Sequence, residues 1–134
     1  MPVLRNVVCI AAACVWAAYT FNAYAQAPDA AAPFPAKPVR IIVPYPAGGL
    51  GDIFPRALGN GLAELYGQPV IIDNRPGASQ MIGAQLAAKS PADGYTLFFG
   101  SVTSLAINVS AQKNLPYDPL RDFAPISLIA SAPL

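Results

Sequence analysis

The chain has 134 residues with eight basic and seven acidic side chains and no histidine. A charge this close to neutral excludes the basic field with which nucleic-acid binders draw in a phosphate backbone. The missing histidine removes the commonest metal ligand and the commonest general base.

At the amino terminus, Arg5 supplies a short positive region, Val7 to Ala18 runs apolar and uncharged, and Ala23-Tyr24-Ala25 sets small residues at the positions a signal peptidase reads. This is the three-part pattern of a cleaved secretory signal over residues 1–25, with cleavage expected before Gln26. A membrane anchor is the alternative, but the apolar run falls short of the roughly 20 residues a span needs. A lipoprotein signal at Cys14 is a third reading. Both cysteines, Cys9 and Cys14, lie inside the leader, so the part beyond it is expected to hold no disulfide and no thiol chemistry. With Arg5 gone, seven basic residues balance seven acidic ones. Residues 26–33 are rich in Ala and Pro and read as a flexible lead-in.

Val39 to Val43 is a run of β-branched residues between prolines, a strand expected to be buried on both faces. The loop after it carries Pro46-Ala47-Gly48-Gly49. Asp52 to Tyr66 reads as a helix with an apolar stripe at Ile53, Ala57, Leu58, Leu62 and Leu65, ended by Gly67. Val70 to Ile72 is a second strand ending at Asp73, and Asn74-Arg75-Pro76-Gly77 a turn. Ala78 to Lys89 reads as a second helix with Ile82 and Leu86 on one face, and Tyr95 to Phe99 as a third strand. This alternation predicts an α/β fold with a mostly parallel sheet flanked by helices. Ala124 to Ala130 reads as a further strand, after which the chain stops at Leu134, as an interrupted sequence would.

In parallel sheets ligands sit at the carboxyl ends of the strands, which singles out two loops, Tyr45 to Gly51 and Asn74 to Gln80. Glycines there let the backbone approach a ligand, and successive N–H groups next to a helix N-terminus form a concave donor site for an anion. Two such loops facing one cleft suit a ligand with carboxylates; glycine-rich turns also occur merely to fit strand–helix geometry. Asp52 reads as a helix N-cap, with a polar ligand contact as the alternative; as a cap it would leave Pro55 at the tolerated third helical position. Arg75 reads equally as a partner for a ligand carboxylate or as a loop brace through Asp73. Gly49-x-Gly51 followed by Asp73 mimics part of a dinucleotide fingerprint, but Phe54 fills the place of the third glycine. Further on, Pro116 and Pro119 bracket a turn capped by Asp118, with Tyr117 and Phe123 as packing anchors. Asn108-x-Ser110 is a glycosylation acceptor only in a eukaryotic secretory route.

Four segments in one order, FPAKPVRIIVPYPAGGLGD from Phe34, GQPVIIDNRPGA from Gly67, PADGYTL from Pro91 and LPYDPLRDFAPI from Leu115, resemble the periplasmic solute-binding proteins of the tripartite tricarboxylate transporter family, also called the Bug family. The resemblance implies a bilobed, type II periplasmic binding-protein fold, of which residues 34–134 would be the amino-terminal part of the first lobe. It implies a small organic carboxylate as ligand and membrane permease subunits as partners, with no cofactor, no metal and no catalysis. Carried over by motif position, the ligand-binding residues would be Tyr45, Pro46, Ala47, Gly48, Gly49 and Asp52 in the first loop. In the second loop they would be Asn74, Arg75, Gly77, Ala78, Ser79 and Gln80, with the region Ser101 to Ser104, Ser101 first, as a further wall. Pro44 and Pro46 would brace the first loop. The chain departs from the family pattern at Gln80, where glycine is usual, and at Pro55, where alanine is common. A signalling receptor for the same solutes and an extracytoplasmic hydrolase are the alternative functions.

Overall fold

The computed structural model of the chain describes residues 33–131. The expected leader, the lead-in apart from Pro33, and the last three positions lie outside the described residues.

Three parallel strands form the sheet, in the order β2-β1-β3: β1 is Val39–Val43, β2 Val70–Asn74 and β3 Thr96–Phe98. In register, Ile41 stands between Ile72 on one side and Leu97 on the other. Val39, Ile41, Ile42 and Val43 are buried, as a central parallel strand covered on both faces must be. The N–H groups of Arg75 and Phe99 still donate to the carbonyls of Val43 and Ile42, at 2.7 and 2.9 Å. Pairing therefore continues up to the point where the loops leave the sheet.

The first helix, α1, spans Leu50–Tyr66 and begins two residues earlier than its sequence suggests. Gly49 is its cap and makes no side-chain capping bond, so Asp52 is the third helical residue and not the N-cap. Pro55 accordingly stands well inside the helix, where it removes an intrahelical bond. Gly67 ends α1 in the left-handed conformation, its N–H donating to the Ala63 carbonyl at 2.9 Å.

The buried face of α1 is Asp52, Pro55 and Gly59, not the large apolar stripe; Ile53 and Leu65 are 55% and 74% exposed. The reason is close approach to β2. A Cβ added at Gly59 would sit 3.1 Å from Ile72 Cδ1 and 3.2 Å from Val70 Cγ1, so the helix settles on its smallest residues.

The second helix, α2, is shorter than expected, Met81–Ala88. Ala78, Ser79 and Gln80 do not join it, because their φ angles are 44°, 51° and 72°. They form a separate tight turn. Again the smallest residues, Gly83 and Ala84, face inward, while Ile82 is about half exposed. After β3 a wide helical turn, Thr103–Ile107, runs into α3, Asn108–Ala111.

The expected strand over Ala124 to Ala130 is not formed; that segment is exposed and pairs with nothing among the described residues. A strand exists only through a ladder partner, and Pro125 also removes a donor. The aromatic anchors do pack: Phe98 stacks on Phe123 at 5.3 Å between ring centroids, and Tyr117 meets Phe123 edge-on at 6.0 Å. No helix among the described residues is long and apolar enough to cross a membrane.

Candidate functional site

The loops leaving β1, β2 and β3 are tied together by side chains at the carboxyl edge of the sheet. Asn74, the last residue of β2, donates from Nδ2 to the Tyr45 carbonyl at 3.0 Å and to Asp52 Oδ1 at 2.8 Å. Its Oδ1 accepts from Arg56 Nη2 at 3.0 Å. Asp52 Oδ2 accepts from the Gly48 N–H at 2.8 Å and from Arg56 Nε at 2.7 Å. One buried carboxylate thus fastens the glycine turn to its own helix and, through Asn74, to the neighbouring strand. The Arg56 bond first, then Gly48 and Asn74, hold the Asp52 carboxyl down at about 2 against the opposite pull of burial. It is ionised at neutral pH and poorly suited to proton transfer.

Within the first loop Pro46, Ala47, Gly48 and Gly49 are exposed, and Gly48 takes φ 81°. The Tyr45 ring lies over Gly51, where an added Cβ would fall 2.5 Å from the ring. Pro44 braces from behind: it is buried and packs on Gly83 of α2, whose added Cβ would meet Pro44 Cβ at 3.1 Å.

In the second loop Arg75 takes the brace role, donating from Nε to Asp73 Oδ1 at 2.8 Å. Arg40 holds the other oxygen of Asp73. Burial acts to raise the Asp73 pKa, but the two guanidinium groups outweigh it and the net direction is down. Asp73 is thereby occupied, which closes the dinucleotide reading.

From Gly77, at φ 118°, through Gln80, four consecutive residues have positive φ. Three of them carry side chains, a conformation that persists only where the surroundings enforce it. The enforcing contact is Asn108, 2% exposed, whose Nδ2 donates to the Ser79 carbonyl at 2.8 Å. Tyr117 supports the same layer, its hydroxyl donating to the Ser104 carbonyl at 2.6 Å. Burial of Asn108 also takes its amide out of reach as a glycosylation acceptor, while Val109 and Ser110 stay exposed.

The third loop joins through Ser101. Its Oγ donates to Gln80 Oε1 at 2.6 Å and accepts from the Thr103 N–H at 3.1 Å. The Ser101 N–H donates to Ser104 Oγ at 2.9 Å.

The residues singled out from sequence therefore converge on one edge, but in divided roles. Asp52 and Asn74 are consumed by the scaffold. The exposed segments Ala47 to Gly49 and Gly77 to Ser79 remain, although in the first of them the Gly48 and Gly49 N–H groups already donate to Asp52 Oδ2 and the Pro46 carbonyl. Ala78 and Ser79 open the tight turn Ala78–Gln80, so their N–H groups have no acceptor within it. Such backbone, beside the amino-terminal ends of α1 and α2, favours an anion. Among the described residues no group of three or more His, Cys, Asp or Glu could hold a metal ion. Ser104 falls in the wall expected after β3, whereas Arg56 and Asn108 were not singled out as site residues from sequence. Of these two, only Arg56 left a signal there, four residues after Asp52 on a helix.

A model of the tripartite tricarboxylate transporter family receptor matches residues 54–134. The chain belongs to this family. The matched stretch takes in the second loop and Ser101, while the first loop lies just before it. Protein BugT of Bordetella pertussis is 43% identical over 109 residues, covering 81% of this chain and 33% of BugT. MatC (Rpa3494) from Rhodopseudomonas palustris with bound malate is similar at a TM-score of 0.64 and 34% identity, over 72% of this chain and 33% of that one. R. palustris Rpa4515 with adipate is similar at a TM-score of 0.62 and 40% identity, over 65% of this chain and 29% of that one. The chain spans about a third of the length of the curated relatives it matches. The family is one of receptors, and the periplasmic destination expected from the leader agrees with it.

Proposed function

We propose that this chain forms one wall of the cleft in a periplasmic receptor that binds a small organic acid by its carboxylate and delivers it to the permease subunits of a tripartite tricarboxylate-type transporter. Residues 34–134 supply the amino-terminal part of the first lobe, and closure of a second lobe completes the enclosure. The observation that carries this reading is the joining of three strand-exit loops into one platform with the glycine-containing segments Ala47 to Gly49 and Gly77 to Ser79 exposed on it. Donors already fixed in place bind with little loss of freedom on association. Electrostatics favour the same ligand: Arg56 pairs with Asp52, so the carboxylate nearest the glycine turn does not repel an incoming anion. In this reading Tyr45, Pro46, Ala47, Gly48 and Gly49 line one side. Arg75, Gly77, Ala78, Ser79 and Gln80 line the other, with Ser101 at the back. Malate and adipate, bound by two relatives, define the size class.

The test is calorimetric titration of the full-length mature protein, stripped of bound solute, with malate, adipate and citrate, and with the amides of the same acids as controls. Saturable binding near micromolar, about 8 kcal/mol, that vanishes with the amides is the expected result. No heat and no thermal shift with any acid would make the loops structural turns.

A further inference from the structure

We propose that Gln80 selects among carboxylates: its side-chain amide nitrogen is a donor held ready for a second oxygen of the solute, at the end away from the anchored carboxylate. The inference rests on the receptor reading above and deepens it. At 2.6 Å the contact between Ser101 Oγ and the Gln80 amide has the length of an O–H···O bond, shorter than N–H···O bonds usually are. This assigns the amide oxygen to Ser101, and the Ser101 hydroxyl is itself oriented by the Thr103 N–H that it accepts. Gln80 Nε2 then carries two N–H groups with no acceptor among the described residues. Among the described residues no buried side-chain nitrogen or oxygen lacks a partner, so this nitrogen is not buried. It is a directed donor, fixed at its other end, on the edge where the three loops meet. A solute with only an apolar tail would leave it without an acceptor. A diacid, hydroxy acid or keto acid would supply one.

The experiment compares, in the full-length mature protein, adipate with hexanoate and succinate with butyrate. The proteins are wild type, Gln80→Met, Gln80→Glu and Ser101→Ala, with thermal melts to verify folding. In wild type the diacids bind more tightly than the monoacids. Gln80→Met weakens diacid binding about tenfold, the worth of one charge-assisted hydrogen bond, and weakens monoacid binding far less, so that the diacid-to-monoacid ratio falls. Gln80→Glu keeps an oxygen for Ser101 but sets a negative charge against the diacid, and weakens it further. Ser101→Ala, which unlocks the amide, falls between wild type and Gln80→Met. A variant that merely disturbed the loop would weaken both acids alike, and that result, or an unchanged diacid-to-monoacid ratio in Gln80→Met, overturns the proposal. Failure of wild type to bind any acid would instead remove the receptor reading on which it rests.

Discussion

The Asp52 carboxylate accepts from Gly48, Arg56 and Asn74, so both oxygens are committed to holding loops. Its pKa lies near 2 when folded against an ordinary value of 3.8. A carboxyl lowered by folding stabilises the native state at every pH above its unfolded value and loses that contribution as pH falls through the folded one. The loop platform should therefore loosen between about pH 4 and pH 2. Acid titration followed by circular dichroism should give a shallower acid limb in Asp52→Asn than in wild type. The change will be partial, because Asp73 and Asp93 are lowered in the same direction and titrate in the same region. An acid limb identical to wild type would show that Asp52 does not couple loop structure to pH. Asn108 makes a second case at this scale. Its truncation leaves the Ser79 carbonyl without its donor, and burial makes that expensive. Asn108→Ala should lower stability by about 1–3 kcal/mol and weaken carboxylate binding as well, since the left-handed turn loses its anchor. Denaturant unfolding and calorimetry read the two effects; a loss of stability with unchanged affinity would separate Asn108 from the site. Neither role was legible beforehand. The Asp-to-Arg spacing hinted at a helix pair, but sequence does not say that Asn74 would arrive from another strand to complete it. Asn108 sits in a stretch with no periodic signal.

Strands and helices were legible as elements because their patterns are local: β-branched runs between prolines, then apolar residues at helical spacing, then glycine. Which face each helix turns inward was not. Periodicity weights large apolar side chains, and in α1 it pointed to Ile53 and Leu65, whereas the helix rests on Asp52, Pro55 and Gly59. The deciding quantity is the distance between helix and sheet, which only the packed structure contains. The same distance yields a contrast between two glycines. At Gly83 an added Cβ would stand 3.0 Å from the Arg75 carbonyl oxygen and 3.1 Å from Pro44 Cβ. The first of these is backbone and the second a rigid ring, so neither can give way easily. At Gly61 nothing lies within 4 Å. Alanine favours a helix over glycine by about 0.8–1.0 kcal/mol, so Gly61→Ala should raise stability by about that amount. Gly83→Ala should instead lower it by about 1–3 kcal/mol as overpacking outweighs propensity. Because the contact at Gly83 is with the loop carrying Arg75, affinity for the solute should fall with it. Chemical denaturation of both variants decides the matter; if Gly83→Ala is as stable as wild type, α2 is not pressed on the loops as described.

Across the whole described region, β1 is sealed on both sides, while β2 and β3 each have one edge with no ladder partner among the described residues. A strand edge of this kind is a template for pairing with another chain. Large apolar side chains add to the exposure: Leu50, Leu120, Ile126 and Leu128 are each more than four-fifths exposed. This chain covers about a third of these relatives, so they have further chain to cover such surfaces. The failure of Ala124 to Ala130 to form its expected strand fits the same account, since local propensity for a strand gains nothing without a neighbour to pair with. Residues 26–134 expressed alone should consequently lack a cooperative thermal transition. They should bind a hydrophobic dye and associate as concentration rises, whereas the full-length mature protein melts sharply and gains stability with its carboxylate ligand, by about 2.7 kcal/mol at a hundred times the dissociation constant. Circular dichroism melts at several concentrations distinguish the cases. A single sharp, concentration-independent transition in the short chain would mean that three strands and their two covering helices suffice for a stable unit, and that the open edges are blunted by a contact outside the described residues.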